Sequence, residues 1–219
     1  MEKSEQWQEI YKRGEKKYNY YNILQPHKDM NYVAKIFKKN KVKKVLDLGC
    51  GAGRNLLFLA SKGINVYGID YAPEGIELIK ENLKKFKLDA NLKIGNFFDP
   101  LPYSNEFFDA IICLQSLQHG NEKQILKAIK EIERILRKKG LIFITLSGRI
   151  SNGKIRFCLV KTAKKIASHT YVPTIGDEKG LTHFIYDKKL IKKHFKNFRI
   201  LKLWKDEKDY YCFIAEKKN

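Results

Sequence analysis

The sequence predicts an α/β fold: a mostly parallel sheet of seven strands with an antiparallel last strand, and helices on both faces. Three observations predict it. Short apolar runs alternate along the chain with segments of helical spacing, the pattern of strands linked by crossover helices. A glycine-rich turn, Gly49-Cys50-Gly51-Ala52-Gly53, joins the first such run to a helix. The last two apolar runs are separated by Asp206-Glu207-Lys208-Asp209, which reads as a hairpin. The 219 residues suit one domain with a sizeable core, and no Pro/Ser-rich linker or internal repeat divides them. Within that domain the reading separates an N-terminal helical and aromatic cap (1–40), a ligand-binding core (41–146), an insertion or lid (147–186) and a final helix with hairpin (187–219).

Taken in order, a helix at about 29–39 leads into a strand at 45–48, and the glycine turn opens a helix at 54–62. Gly63 ends it and Asn65-Val66-Tyr67-Gly68-Ile69-Asp70 reads as the second strand. Pro73 fits the first position of the next helix, 73–86. Strands follow at 90–94 and 108–114, then a helix at 122–137, a break at Gly140 and a strand at 140–146. A helix at 187–195 and strands at 198–204 and 210–216 complete the sheet. Between them, Ile155, Leu159, Ala163 and Ile166 recur at helical spacing among Lys154, Arg156, Lys161, Lys164 and Lys165, which predicts an amphipathic basic helix. Tyr171 to Phe184 is too rich in Pro, Gly and charge for regular structure and reads as a functional loop.

The glycine turn is the most informative stretch. Glycines at alternate positions let the backbone turn sharply and pass close to a ligand. A dinucleotide loop of the G-x-G-x-x-G kind needs glycine where Arg54 stands, which argues against a dehydrogenase. Asp47, near the strand end, adds a carboxylate that repels a pyrophosphate and attracts a cation. The ligand expected here therefore carries positive charge.

Asp47-Leu48-Gly49-Cys50-Gly51-Ala52-Gly53 resembles the first motif of the class I S-adenosylmethionine-dependent methyltransferases, and later landmarks follow that family's order over roughly residues 42 to 146. Asp70 ends the second strand 19 residues after Gly51. Gly95-Asn96-Phe97-Phe98 falls where the family covers adenine, Phe107 to Leu114 resembles its fourth strand, and Arg134 to Ile144 its helix end, glycine turn and fifth strand. The resemblance implies a Rossmann-like fold, S-adenosylmethionine as methyl donor and S-adenosylhomocysteine as product. It implies cofactor contacts from Asp47, Gly49, Cys50, Gly51, Gly53 and Arg54, with Asp70 and Tyr71 toward the ribose, Asn96 and Phe97 toward the adenine, and Leu114 and Gln115 at the fourth strand end. Where aspartate is usual this chain has Asn96, so a bond to the adenine amino group must come from the amide oxygen or from backbone. The N-terminal run Trp7, Tyr11, Tyr18, Tyr20 and Tyr21 lies where such enzymes fold a segment over the cofactor, which makes Tyr20 a further expected contact, since aromatic faces suit a cation.

Charge and chemistry narrow the function. The formal net charge is +20 and is uneven: residues 1–45 hold 12 basic and 5 acidic side chains, 46–150 hold 15 and 12, and 151–219 hold 17 and 7. Basic terminal segments favour an anionic acceptor or nucleic acid, yet 37 lysines against 7 arginines also describe a plain solvated surface. Cys50, Cys113, Cys158 and Cys212 show no C-x-x-C or zinc-like spacing, no apolar run reaches 18 residues and the first residues carry no apolar stretch; a cytoplasmic protein with no metal and no membrane partner is expected. A sulfonium methyl is already activated, so transfer needs mainly a nucleophile held in line. His119 and His183 are rival candidates for a catalytic base, needed when the acceptor is a hydroxyl or protonated amine. Nothing resembles the Asn/Asp-Pro-Pro-Phe/Tyr tetrapeptide of some amino-methylating relatives; Gln115-Ser116-Leu117-Gln118 stands there. The expected function is methyl transfer to a small or anionic acceptor. RNA methylation through the basic tail and a non-catalytic cofactor-binding module are the alternatives, and oligomeric state is left open.

Overall fold

The computed structural model describes residues 25–156, 159, 162–176 and 178–219. The aromatic run of the expected cap, Trp7 to Tyr21 with Tyr20 included, lies outside them. The elements in order are α1 (Met30–Lys39), β1 (Lys44–Leu48), α2 (Arg54–Ala60), β2 (Asn65–Asp70), α3 (Pro73–Phe86), β3 (Asn91–Ile94), β4 (Phe108–Leu114), a 3₁₀ turn (Leu117–His119), α4 (Glu122–Ile135), β5 (Leu136–Leu146), the short β6 (Ile150–Ser151) and β7 (Lys154–Ile155), β8 (Ala163–Ala167), β9 (Thr170–Pro173), β10 (His183–Phe184), α5 (Lys188–His194), β11 (Phe198–Lys205) and β12 (Tyr211–Lys217).

Seven strands form one sheet in the order β11-β12-β5-β4-β1-β2-β3, flanked by helices. β1 pairs in parallel with both β2 and β4, whereas β12 is antiparallel to β5 and to β11. This is the expected Rossmann-like sheet with its reversed last strand. The order reverses between β1 and β4, and in open α/β sheets ligands bind beyond the carboxyl ends of strands at such a point.

Local chemistry explains the element ends. Asn121 caps α4 through a reciprocal pair of bonds with Gln124. The Asp187 carboxylate accepts from Leu190 N to start α5. Pro73 opens α3, and Lys87 closes it in the left-handed region at φ 52°. The central strands are apolar on both faces, as covered parallel strands must be: Val45, Leu46 and Leu48 of β1 and Ala110, Ile111 and Ile112 of β4 are fully buried. Each such valine, leucine or isoleucine side chain contributes about 1.5–3 kcal/mol of burial free energy.

The backbone divides into two compact units. One ends at Phe97 and takes in Phe107–Ile112; the other holds Phe98–Glu106 and Cys113–Asn219. The first contains the glycine turn, β2 and β3. In it Asp109 Oδ2 accepts from the amides of Lys43 and Lys44, 2.8 Å each, fixing the start of β1.

The second unit corrects two expectations. Among the described residues of 154–166 no α-helix is found: β7 pairs with β6 as a small hairpin, and β8, β9 and β10 make a three-stranded antiparallel sheet. Asn152 and Gly153 both take positive φ at the β6–β7 turn, and Arg156 buries its guanidinium on the Gly148 and Ile150 carbonyls, which holds the backbone away from a helical path. Ile155 and Ile166 are 60% and 58% exposed, so the helical spacing never marked a buried stripe. The stretch 171–184 is likewise partly regular, contributing most of β9 and all of β10.

Candidate functional site

In the first unit β1 runs into a turn in which Gly49, Gly51 and Gly53 have φ of 76°, 55° and 86°. Side chains rarely adopt such angles. A Cβ on Gly53 would stand 2.5 Å from Ile79 Cγ1, so α3 packs directly on this turn. Gly75 of α3 approaches from the same side: its Cβ would lie 2.7 Å from the Gly51 carbonyl oxygen. The residue pattern singled out the turn's own glycines and missed Gly75.

Two carboxylates serve the turn. Asp70, 8% exposed at the end of β2, accepts from Gly51 N through Oδ2 at 2.7 Å and from Ala72 N through Oδ1 at 3.0 Å. Burial raises its pKa and those backbone bonds oppose the rise. A carboxylate has about four lone-pair sites, so acceptor capacity remains for a ligand. Asp47, in β1, is 3% exposed, and its Oδ2 has no hydrogen-bond partner among the described residues. Burial, then the charge of Asp70, push its pKa up to about 7, with Arg54 pulling the other way. A buried carboxylate oxygen without a partner is costly and marks a place for a cation or a donor. Cys50 is a buried thiol beside the pair, its pKa raised well above the ordinary value first by burial and then by the two carboxylates. Gly49 N and Cys50 N both donate to Ile69 O, and Gly95 N donates to Asp70 O, so the turn, β2 and the segment after β3 are tied together. Tyr71 is half-buried after β2; beyond β3, Asn96 is half-buried and Phe97 buried. Ten expected cofactor contacts thus lie in this one unit.

The second unit holds two more, Leu114 and Gln115. Leu114 is buried at the end of β4 and Gln115 follows it at φ 59°. The two histidines that the sequence sets as rivals are neighbours: their rings meet edge to face with centroids 4.9 Å apart. His119 Nδ1 lies 3.3 Å from the Thr182 carbonyl oxygen. His183 Nε2 lies 3.0 Å from Glu178 Oε2, with the imidazole almost wholly buried. Burial first, then the neighbouring His183, lower the His119 pKa to about 4, so its ring is neutral at pH 7. Burial pushes Glu178 up, yet its bond to His183 and the nearby histidine charges outweigh that and leave it below the usual carboxylate range. Glu178 escaped the sequence reading. Its place five residues before His183 was a local signal within the loop judged functional.

Among the described residues, no helix is long and apolar enough to cross a membrane. Residues 45–140 match a family model described as a methyltransferase domain. The ubiquinone biosynthesis O-methyltransferase of Pelagibacter ubique is 33% identical over 101 residues, 46% of this chain and 40% of that protein. An uncharacterized protein of Methanocaldococcus jannaschii is 30% identical over 172 residues, covering 73% of this chain and 62% of its own length. This chain therefore spans about half the length of the curated relatives it matches. Among solved structures, a Burkholderia thailandensis 1,6-didemethyltoxoflavin-N1-methyltransferase with bound 1,6-didemethyltoxoflavin and S-adenosylhomocysteine superposes with a TM-score of 0.66 at 14% identity, covering 96% of this chain and 85% of that one. The strand order, the glycine turn with its two buried carboxylates and these likenesses agree: residues 45–140 form a methyltransferase domain, and the chain is similar to the class I S-adenosylmethionine-dependent methyltransferases.

Proposed function

We propose that this chain transfers a methyl group from S-adenosylmethionine to a small or anionic acceptor. The observation that carries the reading is the buried, unpartnered Asp47 Oδ2 beside a turn of three positive-φ glycines, a setting suited to a ligand with positive charge close to backbone. The residues fit the cofactor. Asp47 would meet its cationic part, the backbone of Gly49, Cys50, Gly51 and Gly53 would lie along the methionine portion with Arg54 beyond, Asp70 and Tyr71 would hold the ribose, and Asn96 and Phe97 the adenine. Leu114, Gln115 and Tyr20 stay in the proposed set on the strength of the resemblance. When bound, the cofactor supplies a methyl already activated on a positively charged sulfur.

The protein's task is then to hold the acceptor nucleophile about 3–3.5 Å from that methyl, in line with the departing sulfur. Where the acceptor carries a proton, neutral His119, with His183 beside it, is the proposed group to take it. The names of the Pelagibacter and Burkholderia proteins attach methylation to small molecules, which favours a small acceptor here too. The RNA reading rests on the charge of the basic tail alone, so with those names the small acceptor is the better supported choice.

The test is transfer of labelled methyl from S-adenosylmethionine into the small-molecule fraction of a cell extract, with Gly51→Val as control. A labelled product with the wild type and none with the variant supports the reading. No product with a wild type that binds S-adenosylhomocysteine contradicts it.

A further inference from the structure

We infer that Gln118 is a positioning residue: it holds Gln115 in a strained backbone conformation that presents the Gln115 amide to the methyl acceptor. The inference rests on the methyl-transfer reading above and names a residue for that reaction.

Gln115 stands at the carboxyl end of β4, the strand bordering the point where sheet order reverses. Its φ of 59° lies in the left-handed region, which costs a residue with a side chain about 1–2 kcal/mol. Among the described residues, seven other non-glycine residues share positive φ. Lys41, Lys87, Glu106, Lys139 and Asn152 are exposed, while Asp209 and His169 bond through their side chains to Gly153 N and Ile185 O. Gln115 differs from all of them. It is half-buried, and its side-chain amide bonds to no described residue.

The backbone around it is locked on every side. Gln115 N donates to Thr145 Oγ1 at 2.9 Å, and its carbonyl accepts from Gln118 Nε2 at 3.1 Å. Gln118 Oε1 in turn accepts from Ser147 N at 3.1 Å. Gln118, Thr145 and Ser147 are 2%, 0% and 1% exposed. Such a satisfied buried network fixes one conformation. One buried amide thus bridges the loop after β4 to the end of β5 and leaves a primary amide, both donor and acceptor, as the polar group on offer. The matching acceptor bears an uncharged hydrogen-bonding group, a hydroxyl, amine or amide, beside its nucleophile. An anionic group would use only the donor half of the amide.

Gln118→Met keeps the volume and removes both bonds, and Gln115→Gly removes the amide and the strain together. Each is assayed by labelled methyl transfer into the small-molecule extract fraction, by melting temperature and by titration with S-adenosylhomocysteine. Gln118→Met should bind S-adenosylhomocysteine as the wild type does, and both variants should transfer label roughly ten- to a hundredfold more slowly. Gln115→Gly should melt roughly 2–4 °C higher than the wild type. A purely structural role moves stability and transfer in the same direction; in Gln115→Gly they separate. Transfer at the wild-type rate by Gln115→Gly or by folded Gln118→Met overturns the inference alone. A wild type that binds S-adenosylhomocysteine and labels nothing overturns the methyl-transfer reading, and this inference with it.

Discussion

The Asp70 carboxylate accepts a 2.7 Å hydrogen bond from the Gly51 amide, 19 residues away, and so fastens the end of β2 to the middle of the glycine turn. A second bond from Ala72 fixes its other oxygen. The acid that stands where a ribose diol would bind also shapes the turn that would receive the methionine portion. Asp70→Ala should therefore do two things. It strands two amide donors, at about 1–3 kcal/mol each, and it removes the acceptor for two ribose hydroxyls. We expect a melting temperature several degrees lower and affinity for S-adenosylhomocysteine reduced at least about tenfold, read by thermal melts and calorimetry. Unchanged affinity in a folded variant would count against the ribose assignment.

Asp47 makes the apo protein sensitive to pH. Its folded pKa of about 7 lies above the ordinary 3.8 of an aspartate, so between roughly pH 4 and pH 7 the folded state binds more protons than the unfolded chain. Stability contributed by this group is present at low pH and lost as pH rises through that window. Asp47→Asn should then stabilise the apo protein at pH 8 relative to the wild type and give little advantage at pH 4, in melts across pH. A cationic ligand favours the ionised carboxylate, so binding of S-adenosylmethionine below pH 7 should release a proton. Calorimetry in two buffers of different ionisation enthalpy measures that release, and Asp47→Asn should abolish it.

Gly75 tests the turn from outside. A Cβ there would press the Gly51 carbonyl oxygen from 2.7 Å, backbone that has no room to swing aside. Alanine improves helix propensity by up to about 1 kcal/mol, yet Gly75→Ala should weaken binding of S-adenosylhomocysteine sharply. A variant that melts higher and binds as well would show that the approach of α3 does not shape the turn.

Glu178 and His119 give the second unit an acid sensitivity of opposite sign to that of Asp47. The Glu178 pKa is held below its ordinary 4.5, so its stabilisation is present above that value and lost as pH falls through the folded pKa. His119, lowered from 6.5 to about 4, adds a loss over pH 6.5 to 4. Glu178→Gln should lower the melting temperature at pH 7 and approach the wild type as pH drops toward 3. An equal gap at both pH values would contradict the pairing.

What could be read from residues alone was whatever is local. The glycine turn is strand, glycines and helix within eleven residues, and Asp70 closes the next strand, so pattern and spacing reached both. The Gln118 bridge to Ser147 spans 29 residues and depends on the left-handed backbone of Gln115, which no composition signals. Arg156 misled in the opposite direction. As one of several cations around Ile155 and Ile166 it read as the wet face of a helix, whereas its guanidinium lies under cover against the Tyr210 ring, 4.4 Å from the centroid. Periodicity registers where apolar residues recur but not that a charged one finds carbonyl partners and folds inward. Between the two histidines, only the pairing of β9 with β10 and the adjoining 3₁₀ turn bring the rings together.

The most direct measurement is calorimetric titration of the wild type and of Gly51→Val with S-adenosylmethionine and S-adenosylhomocysteine. Gly51 has φ 55°, its amide is bonded to Asp70 and its carbonyl lies against Gly75, so a β-branched side chain there must displace the turn. Saturable binding of both ligands to the wild type, and none to a Gly51→Val protein that still melts cooperatively, is the predicted result. A wild type that takes up neither ligand, or a valine variant that binds as the wild type does, would contradict the assignment of this turn as the cofactor site.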